Sequence, residues 1–206
     1  MIAIVDYGAG NLRSVQKGFE KNGVDARITD DPEMIRHAHG VVLPGVGAFR
    51  DCYDGIAARG LTEIVLESVS IGKPFLGICV GLQLLFTESE EGGCNRGFDI
   101  IKGSVQRFPS SYERKVPHMG WNQIEIVRED CPLFDGVESL SFVYFVHSYY
   151  VNPSEQSVIA CVTEYGVTFC SAIWRDNLFG VQFHPEKSQR IGLKILENFA
   201  QMVRGC

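Results

Sequence analysis

One cysteine stands where its sulfur could act as a nucleophile. Residues 77–81 read GICVG, the cysteine version of the G-x-S-x-G elbow, in which the nucleophile sits on a sharp turn between a strand and a helix. Glycines suit such a turn because side chains beside it would clash with neighbouring backbone. The N–H groups and dipole at the start of a helix would favour the thiolate of Cys79. Taken alone, the pentapeptide fits a buried structural cysteine between two packing glycines equally well.

A histidine and a carboxylate follow near the other end of the chain, as His184 and Glu186 on either side of a proline. A catalytic thiol needs a base within hydrogen-bond reach, and that base needs a carboxylate to orient it. The proline restricts the backbone that presents both side chains. A surface turn with incidental polar groups is the alternative. Because His184 and Cys79 both follow apolar strands, we expect them to meet at one edge of a sheet.

An elbow nucleophile also needs backbone donors for the oxyanion that forms when it attacks a carbonyl carbon. One donor is expected from the residue after the nucleophile, here Val80, and another from a loop after a neighbouring strand. Residues 44–49 read PGVGAF and follow an apolar run, so Gly45 and Val46 are the candidates for the second donor. The alternative is a bare connection, because glycine and proline mark any turn.

Other histidines and cysteines compete for these roles. His37 and His39 lie in a polar segment that we expect to be exposed, and neither His118 nor His147 has a carboxylate within two residues in the sequence. The remaining cysteines lack the elbow pattern, and we interpret them as packing or surface thiols: Cys52, Cys94, Cys131, Cys161, Cys170 and Cys206.

The elements that must hold these residues indicate an α/β fold. Apolar runs at 2–5 and 40–43 and a short alternating strand at 24–29 are separated by helical patterns, as in a parallel sheet. We expect helix caps at Asn11 and Ser188, two helices over 50–72 broken near Gly60, and a helix from the elbow to the acidic residues 88–91. The second half predicts added β-hairpins, with strands near 100–108, 122–127, 141–151, 157–163, 167–174 and 178–183.

Bulk properties exclude several classes of protein. The chain has 206 residues, which predicts one domain over residues 1–206, and a net charge of −6 without a basic run, which argues against a nucleic-acid partner. Nothing in the sequence resembles a signal peptide or a membrane span. Seven cysteines without C-x-x-C spacing favour reduced thiols in the cytoplasm over disulfides or a zinc site. Gly8 and Gly10 lack the third glycine of a dinucleotide-binding loop, since position 13 is arginine.

The elbow and the His184–Glu186 pair together resemble the class I glutamine amidotransferases. Residues 6–14 (DYGAGNLRS), 43–49 (LPGVGAF), 117–122 (PHMGWN) and 144–150 (YFVHSYY) are similar to those family members that serve imidazole glycerol phosphate synthase. The resemblance spans nearly the whole chain. It implies a flavodoxin-like fold with a mostly parallel sheet, glutamine as substrate, and a heterodimer with a (β/α)8-barrel cyclase of histidine biosynthesis that receives the ammonia. We expect no cofactor and no metal.

The resemblance also implies roles for residues outside the triad. The substrate glutamine would be held by Gly47, Gln83, Glu91, Ser148 and Tyr149, the last two through backbone groups. The cyclase interface would include Asn11, Trp121, Tyr144 and Lys187. For these four the residues themselves favour plainer roles, namely a helix cap, two core aromatics and a surface charge.

Two other interpretations stay open on the sequence. A related amidotransferase, such as the pyridoxal phosphate synthase glutaminase, would share the triad, although residues 117–121 and 144–150 argue against it. A catalytically silent scaffold protein would not need the intact triad. Because an oxyanion loop rich in glycine can wait for a partner before it adopts its working geometry, we predict low activity for the isolated chain.

Overall fold

The computed structural model describes residues 1–109 and 115–205. Its helices are α1 (Leu12–Lys21), α2 (Pro32–His37), α3 (Phe49–Ala58), α4 (Thr62–Ser70), α5 (Val80–Gln83) and α6 (Gln189–Arg204). Its strands are β1 (Ile2–Val5), β2 (Ala26–Thr29), β3 (Gly40–Gly45), β4 (Phe75–Cys79), β5 (Phe86–Ser89), β6 (Asn95–Arg96), β7 (Ile101–Arg107), β8 (His118–Ile126), β9 (Ser141–His147), β10 (Tyr149–Pro153), β11 (Ile159–Glu164), β12 (Thr168–Arg175) and β13 (Leu178–Val181).

A parallel core forms the centre of a mixed sheet. Strands β2, β1, β3, β4 and β13 lie side by side in that order and run parallel. The sheet then continues through antiparallel β12, β10 and β7. Strand β11 pairs with β12 and also with β8, which forms a hairpin with β9. The prediction of an α/β fold with a mostly parallel core and added antiparallel strands is confirmed.

Burial explains why these core strands read as continuous apolar runs. Every residue of β1, β3, β4 and β13 is buried, as expected where both faces of a parallel sheet are covered. Helix α1 packs against α6, with Phe19 and Phe199 rings 6.1 Å apart. The interruption near Gly60 is confirmed, since α3 ends at Ala58 and α4 begins at Thr62. Strand β3 extends two residues farther than expected, through Pro44 and Gly45.

The prediction for the segment after the elbow was wrong. Helix α5 ends at Gln83 after four residues, and β5 follows instead of a helix reaching the acidic residues 88–91. All residues from 80 to 86 are buried, so the sequence there carries no helical alternation of apolar and polar positions. Pairing of β5 with β6 and β7 decides the conformation.

Neither predicted cap residue makes a side-chain capping bond. Asn11 and Ser188 stand at the N-cap positions of α1 and α6, but their side chains do not bond the first turns. Instead, the Asn11 side chain donates to Glu186 Oε1, and the Ser188 hydroxyl donates to the His184 carbonyl oxygen. Asp31 does cap α2, by accepting from the N–H of Glu33.

Within the described ranges, no helix is long and apolar enough to cross a membrane, and no cluster of three or more histidine, cysteine or acidic side chains could hold a metal. Among these residues six cysteines are free thiols, of which Cys94 is exposed and the others are buried: Cys52, Cys79, Cys131, Cys161 and Cys170. Cys206 lies outside the described residues.

Candidate active site

Cys79 occupies a sharp turn between β4 and α5. Its φ of 55° and ψ of −112° lie in a region that L-residues rarely adopt, at a cost of about 1–3 kcal/mol. The flanking glycines permit this turn. A Cβ on Gly81 would lie 1.8 Å from the Leu43 carbonyl oxygen, and one on Gly77 would lie 2.8 Å from the Gly81 oxygen. The elbow geometry expected from the sequence is therefore present.

His184 and Glu186 form a buried pair in the turn between β13 and α6. The two atoms that join them, His184 Nδ1 and Glu186 Oε1, are 2.9 Å apart, and both side chains are almost fully buried. Ser188 holds this turn, because its hydroxyl donates to the His184 carbonyl oxygen and accepts from the Tyr144 N–H. Asn11 Nδ2 donates to Glu186 Oε1 over 3.5 Å. The carboxylate thus orients the imidazole, and surrounding polar groups fix both.

The charges around His184 favour its protonated form. Burial by itself would lower its pKa, but the Cys79 sulfur and the Glu186 carboxylate raise the pKa of His184 to about 10. Its Nε2 is buried and makes no hydrogen bond to the residues described here, while the sulfur lies close enough to act electrostatically. This arrangement holds a proton on the imidazole that can pass to a leaving group near the sulfur.

The end of β3 lies beside the nucleophile. The parallel register pairs Gly45 with Cys79, and Tyr7 donates its hydroxyl proton to the Pro44 carbonyl oxygen over 2.6 Å. Gly45 is buried, and a Cβ there would lie 2.7 Å from the Gly81 nitrogen. Val46 is exposed, so the loop begins immediately after the buried strand. The loop is next to the sulfur, where an oxyanion donor is needed.

A cavity of about 290 Å³ opens over the sulfur. Its size is at the small end of ligand pockets, which span about 300–1,000 Å³, and suits a metabolite the size of an amino acid. The lining residues are Val46, Gly47, Cys79, Val80, Gln83, Glu91, Pro117, Val146, His147, Ser148, Tyr149 and His184. Nine of the predicted site residues are among them. Gly45 is buried beneath the cavity, and Glu186 lies behind His184.

Three of the predicted glutamine-binding residues are already hydrogen-bonded. Gln83 Nε2 donates to the Tyr149 carbonyl oxygen at 3.1 Å, and Glu91 Oε2 accepts from the Phe49 N–H at 2.8 Å. The carbonyl of Tyr149 therefore serves to hold Gln83. Glu91 binds the first residue of α3, so its carboxylate ties the β5–β6 turn to the loop that ends β3.

Three of the four residues predicted for an interface, namely Trp121, Tyr144 and Lys187, form one cluster at the surface. The Trp121 and Tyr144 rings lie 6.0 Å apart, and Lys187 Nζ is 5.7 Å from the Tyr144 ring. Trp121 is 47% exposed, so the alternative that it is a core aromatic is wrong, and Tyr144 is half-buried. Lys187 is exposed, which fits the surface charge that the sequence favours. Asn11 contacts Glu186, the residue that precedes Lys187 in the chain.

Several residues at the site were not predicted from the sequence. Pro117, Val146 and His147 line the cavity, and Gln182 Nε2 lies 3.7 Å from the Cys79 sulfur. The first three belong to the segments 117–122 and 144–150 that carried the family resemblance. Those segments were the available signal, but nothing in them indicates which residues line the cavity.

The two histidines of the β8–β9 hairpin pair with each other and not with a carboxylate. His118 Nδ1 and His147 Nε2 are 2.9 Å apart, and both rings are buried. Burial lowers the pKa of His118 to about 4 and, with the nearby charges of His118 and His184, lowers that of His147 to about 3 despite its bond to the Tyr149 carbonyl. His37 and His39 are exposed, as expected.

Comparison with known proteins gives concordant matches. The family model described as glutamine amidotransferase class-I matches residues 3–203. The imidazole glycerol phosphate synthase subunit HisH of Syntrophotalea carbinolica is 60% identical, with 98% of this chain and all of the relative covered. HisH of Archaeoglobus fulgidus is 52% identical, with 99% of this chain and all of the relative covered.

Solved structures support the fold at lower identity. A crystal structure described as a glutamine amidotransferase superposes with a TM-score of 0.76 at 16% identity and covers both chains completely. The structure of PurLQS from Thermotoga maritima gives a TM-score of 0.71 at 18% identity, covering 99% of this chain and 97% of its own. At these identities the likeness speaks for the architecture alone.

Proposed function

Because the chain belongs to the class I glutamine amidotransferase family, among the HisH subunits of imidazole glycerol phosphate synthase, we propose that Cys79, His184 and Glu186 are its glutaminase triad. The observation that carries this proposal is the strained Cys79 turn beside a buried, charge-paired His184 at the floor of one cavity. The enzyme acts in histidine biosynthesis. We place all of residues 1–206 in one amidotransferase domain, and a cytoplasmic location fits its free thiols.

The reaction follows from the positions of these groups. The Cys79 thiolate attacks the side-chain amide carbon of glutamine, and the carbonyl oxygen takes up the negative charge. The N–H of Val80 and a donor from Gly45 or Val46 stabilise that oxyanion, each donor contributing about 3 kcal/mol. His184 gives its proton to the departing nitrogen, which leaves as ammonia. A γ-glutamyl thioester remains on the sulfur.

Hydrolysis of the thioester completes the cycle. His184, now neutral and still oriented by Glu186, removes a proton from water that attacks the thioester carbonyl. Glutamate leaves and the thiolate is restored. We assign the holding of glutamine to the cavity residues Gly47, Gln83, Glu91, Ser148 and Tyr149, each of which lines the space over the sulfur.

The surface of the β8–β9 hairpin supports delivery of ammonia to a partner. Met119, Trp121 and Phe142 are all about half exposed or more, and Val146, which pairs with Met119, lines the cavity. A single face therefore runs from an exposed apolar patch to the mouth of the active site. We propose that the (β/α)8-barrel cyclase docks on this face and covers the cavity, with Asn11, Tyr144 and Lys187 at the same boundary.

A partition of activities tests this function. In the complex with the cyclase, Cys79→Ala is expected to abolish glutamine-dependent formation of imidazole glycerol phosphate and to spare the ammonia-dependent reaction. Cys94→Ala, at an exposed thiol outside the cavity, serves as the matched control and is expected to keep both. If Cys79→Ala kept glutamine-dependent synthesis, the proposal that Cys79 is the nucleophile would be contradicted.

Stimulation by the partner tests the arrangement of the oxyanion loop. Val46 is exposed, and its carbonyl oxygen accepts a weak bond from the Cys52 thiol at 3.4 Å, while Glu91 anchors the far end of the loop at the Phe49 N–H. We expect slow glutamine hydrolysis by the isolated chain and faster hydrolysis with the cyclase and its nucleotide substrate. Equally fast hydrolysis by the isolated chain would contradict a loop that waits for its partner.

A further inference from the structure

Gln182 touches the nucleophilic sulfur from the protein interior. It follows β13 directly, its side chain is completely buried, and its backbone N–H bonds the Ser171 carbonyl oxygen. Its Nε2 lies 3.7 Å from Cys79 Sγ, within reach of an N–H···S hydrogen bond. The Val146 carbonyl oxygen lies 4.0 Å from the same sulfur. That carbonyl can accept from a thiol but disfavours a thiolate, whereas an N–H donor favours the thiolate.

Hydrogen bonding fixes which end of the Gln182 amide faces the sulfur. Gln83 stands 3.1 Å from the Tyr149 carbonyl oxygen, which can only accept, so the Gln83 nitrogen must face it. The second N–H of that nitrogen points to the Gln182 amide at 3.1 Å and requires an oxygen there. The Gln182 oxygen therefore faces Gln83, and its nitrogen faces Cys79. Reversing either amide would bring two donors or two acceptors together.

We propose that Gln182 is a further catalytic residue, which donates a hydrogen bond to the Cys79 thiolate and is held in the donating orientation by Gln83. The inference rests on the proposed glutaminase function and deepens it. The helix that starts at the elbow has only four residues, so its dipole is small, and a charge-assisted bond from a buried amide adds to it.

The same chain of bonds links substrate binding to the nucleophile. Both N–H groups of Gln83 are occupied by Tyr149 and Gln182, which leaves the Gln83 oxygen available to a ligand in the cavity. A glutamine that bonds this oxygen would lock the Gln83 amide in place. Gln182 would then be fixed toward the sulfur at the moment when the thiolate is needed.

The test is the pH dependence of Cys79 alkylation in the full chain, without glutamine. Iodoacetamide is the probe, and the modified peptide is quantified by mass spectrometry, with the exposed Cys94 as internal reference. Gln182→Met keeps the side-chain length and removes both polar groups. Gln106→Met is the matched control, because the Gln106 amide bonds Ser104 on β7 and does not line the cavity.

We expect the pH midpoint of Cys79 alkylation to move upward by about one unit in Gln182→Met, with Cys94 and the control unchanged. At a pH below both midpoints this shift corresponds to an about tenfold smaller thiolate population. In the glutaminase assay with the cyclase, kcat should fall about tenfold while KM stays within about twofold. If Gln182→Met does not fold, Gln182→Glu keeps the oxygen toward Gln83 and replaces the donor by an acceptor, which should shift the midpoint further.

A folded Gln182→Met or Gln182→Glu protein with the wild-type midpoint would overturn the inference. The outcome is separate from that of the proposed function, because alkylation is measured without turnover. A wild-type complex that forms no glutamate would refute the glutaminase, whereas an active wild type with an unshifted variant would refute the role of Gln182 alone.

Discussion

The buried His118–His147 pair predicts that this protein loses stability in mild acid. His147 Nδ1 donates to the Tyr149 carbonyl oxygen at 2.8 Å, so its Nε2 carries the lone pair that accepts from His118 Nδ1. His118 Nε2 in turn accepts from Asn122 Nδ2 at 3.2 Å. Every ring nitrogen is satisfied in the neutral state. A proton added to either ring would bring two N–H groups face to face in a buried site.

The sign and size of the effect follow from the pKa values. Folding lowers the pKa from the ordinary 6.5 to about 4 for His118 and to about 3 for His147, so below pH 6.5 the unfolded chain binds protons that the folded chain rejects. Stability is therefore complete above pH 6.5 and falls as the pH drops toward 4. One pKa unit corresponds to about 1.4 kcal/mol. When the pH falls from 7.5 to 5.0, each of these histidines therefore lowers the free energy of unfolding by roughly 2 kcal/mol.

Urea unfolding at the two pH values measures this loss. His118→Asn keeps a donor toward His147 and removes one titrating ring, so the variant should lose roughly 2 kcal/mol less than wild type over that interval. His37→Asn, at a side chain that is 80% exposed, is the control and should behave as wild type. If the free energy of unfolding fell equally between the two pH values in wild type and His118→Asn, the interpretation of a neutral buried pair would be refuted.

Two further predictions concern the elbow and the docking face. Gly81→Ala would place its Cβ against the Leu43 carbonyl, so we expect this variant to lose several kcal/mol of stability in thermal melting or to fail to fold. Gly92→Ala is the control, because Gly92 has open space around it and a φ of 68°, and it should cost about 1 kcal/mol. Equal melting temperatures for the two variants would contradict the close approach at Gly81. Trp121→Glu should weaken association with the cyclase at least about tenfold in calorimetric titration, at an unchanged melting temperature. Ile71→Glu also changes an exposed apolar side chain and should bind as wild type. Tight binding by Trp121→Glu would exclude the hairpin face as the docking surface.

The catalytic candidates could be predicted from sequence because their signals are local. The glycines around Cys79 and the proline between His184 and Glu186 indicate the backbone conformation of the segments that contain them. Both segments follow fully buried strands, and parallel strands bring their carboxyl ends to one edge. The register of β13 on β4 pairs Val181 with Ile78, so His184 and Cys79 follow at the same edge of the sheet.

Elements whose conformation depends on distant partners could not be predicted in the same way. Residues 80–86 are buried throughout, so their pattern does not distinguish the short α5 from a long helix. The N-cap positions of Asn11 and Ser188 were correct, but their side chains bond groups in the His184 turn that only the tertiary fold brings near.

The amide beside the sulfur shows the same limit most clearly. Gln182 lies in an apolar run that reads as a strand, and its contact with Cys79 joins residues 103 positions apart. Its orientation depends on Gln83 and on the Tyr149 carbonyl, from two other elements. A polar residue at the end of a buried strand was the available signal, since such a group needs partners in the interior.

Isotope transfer from glutamine tests the central claim most directly. The chain and its cyclase are supplied with glutamine labelled with ¹⁵N in the side-chain amide and with equimolar unlabelled ammonium at neutral pH, and the imidazole product is examined by mass spectrometry. If ammonia made at Cys79 passes directly to the cyclase, the nitrogen incorporated should be almost entirely ¹⁵N. Dilution of the label toward the composition of the bulk ammonium, or no label in the product, would contradict the account.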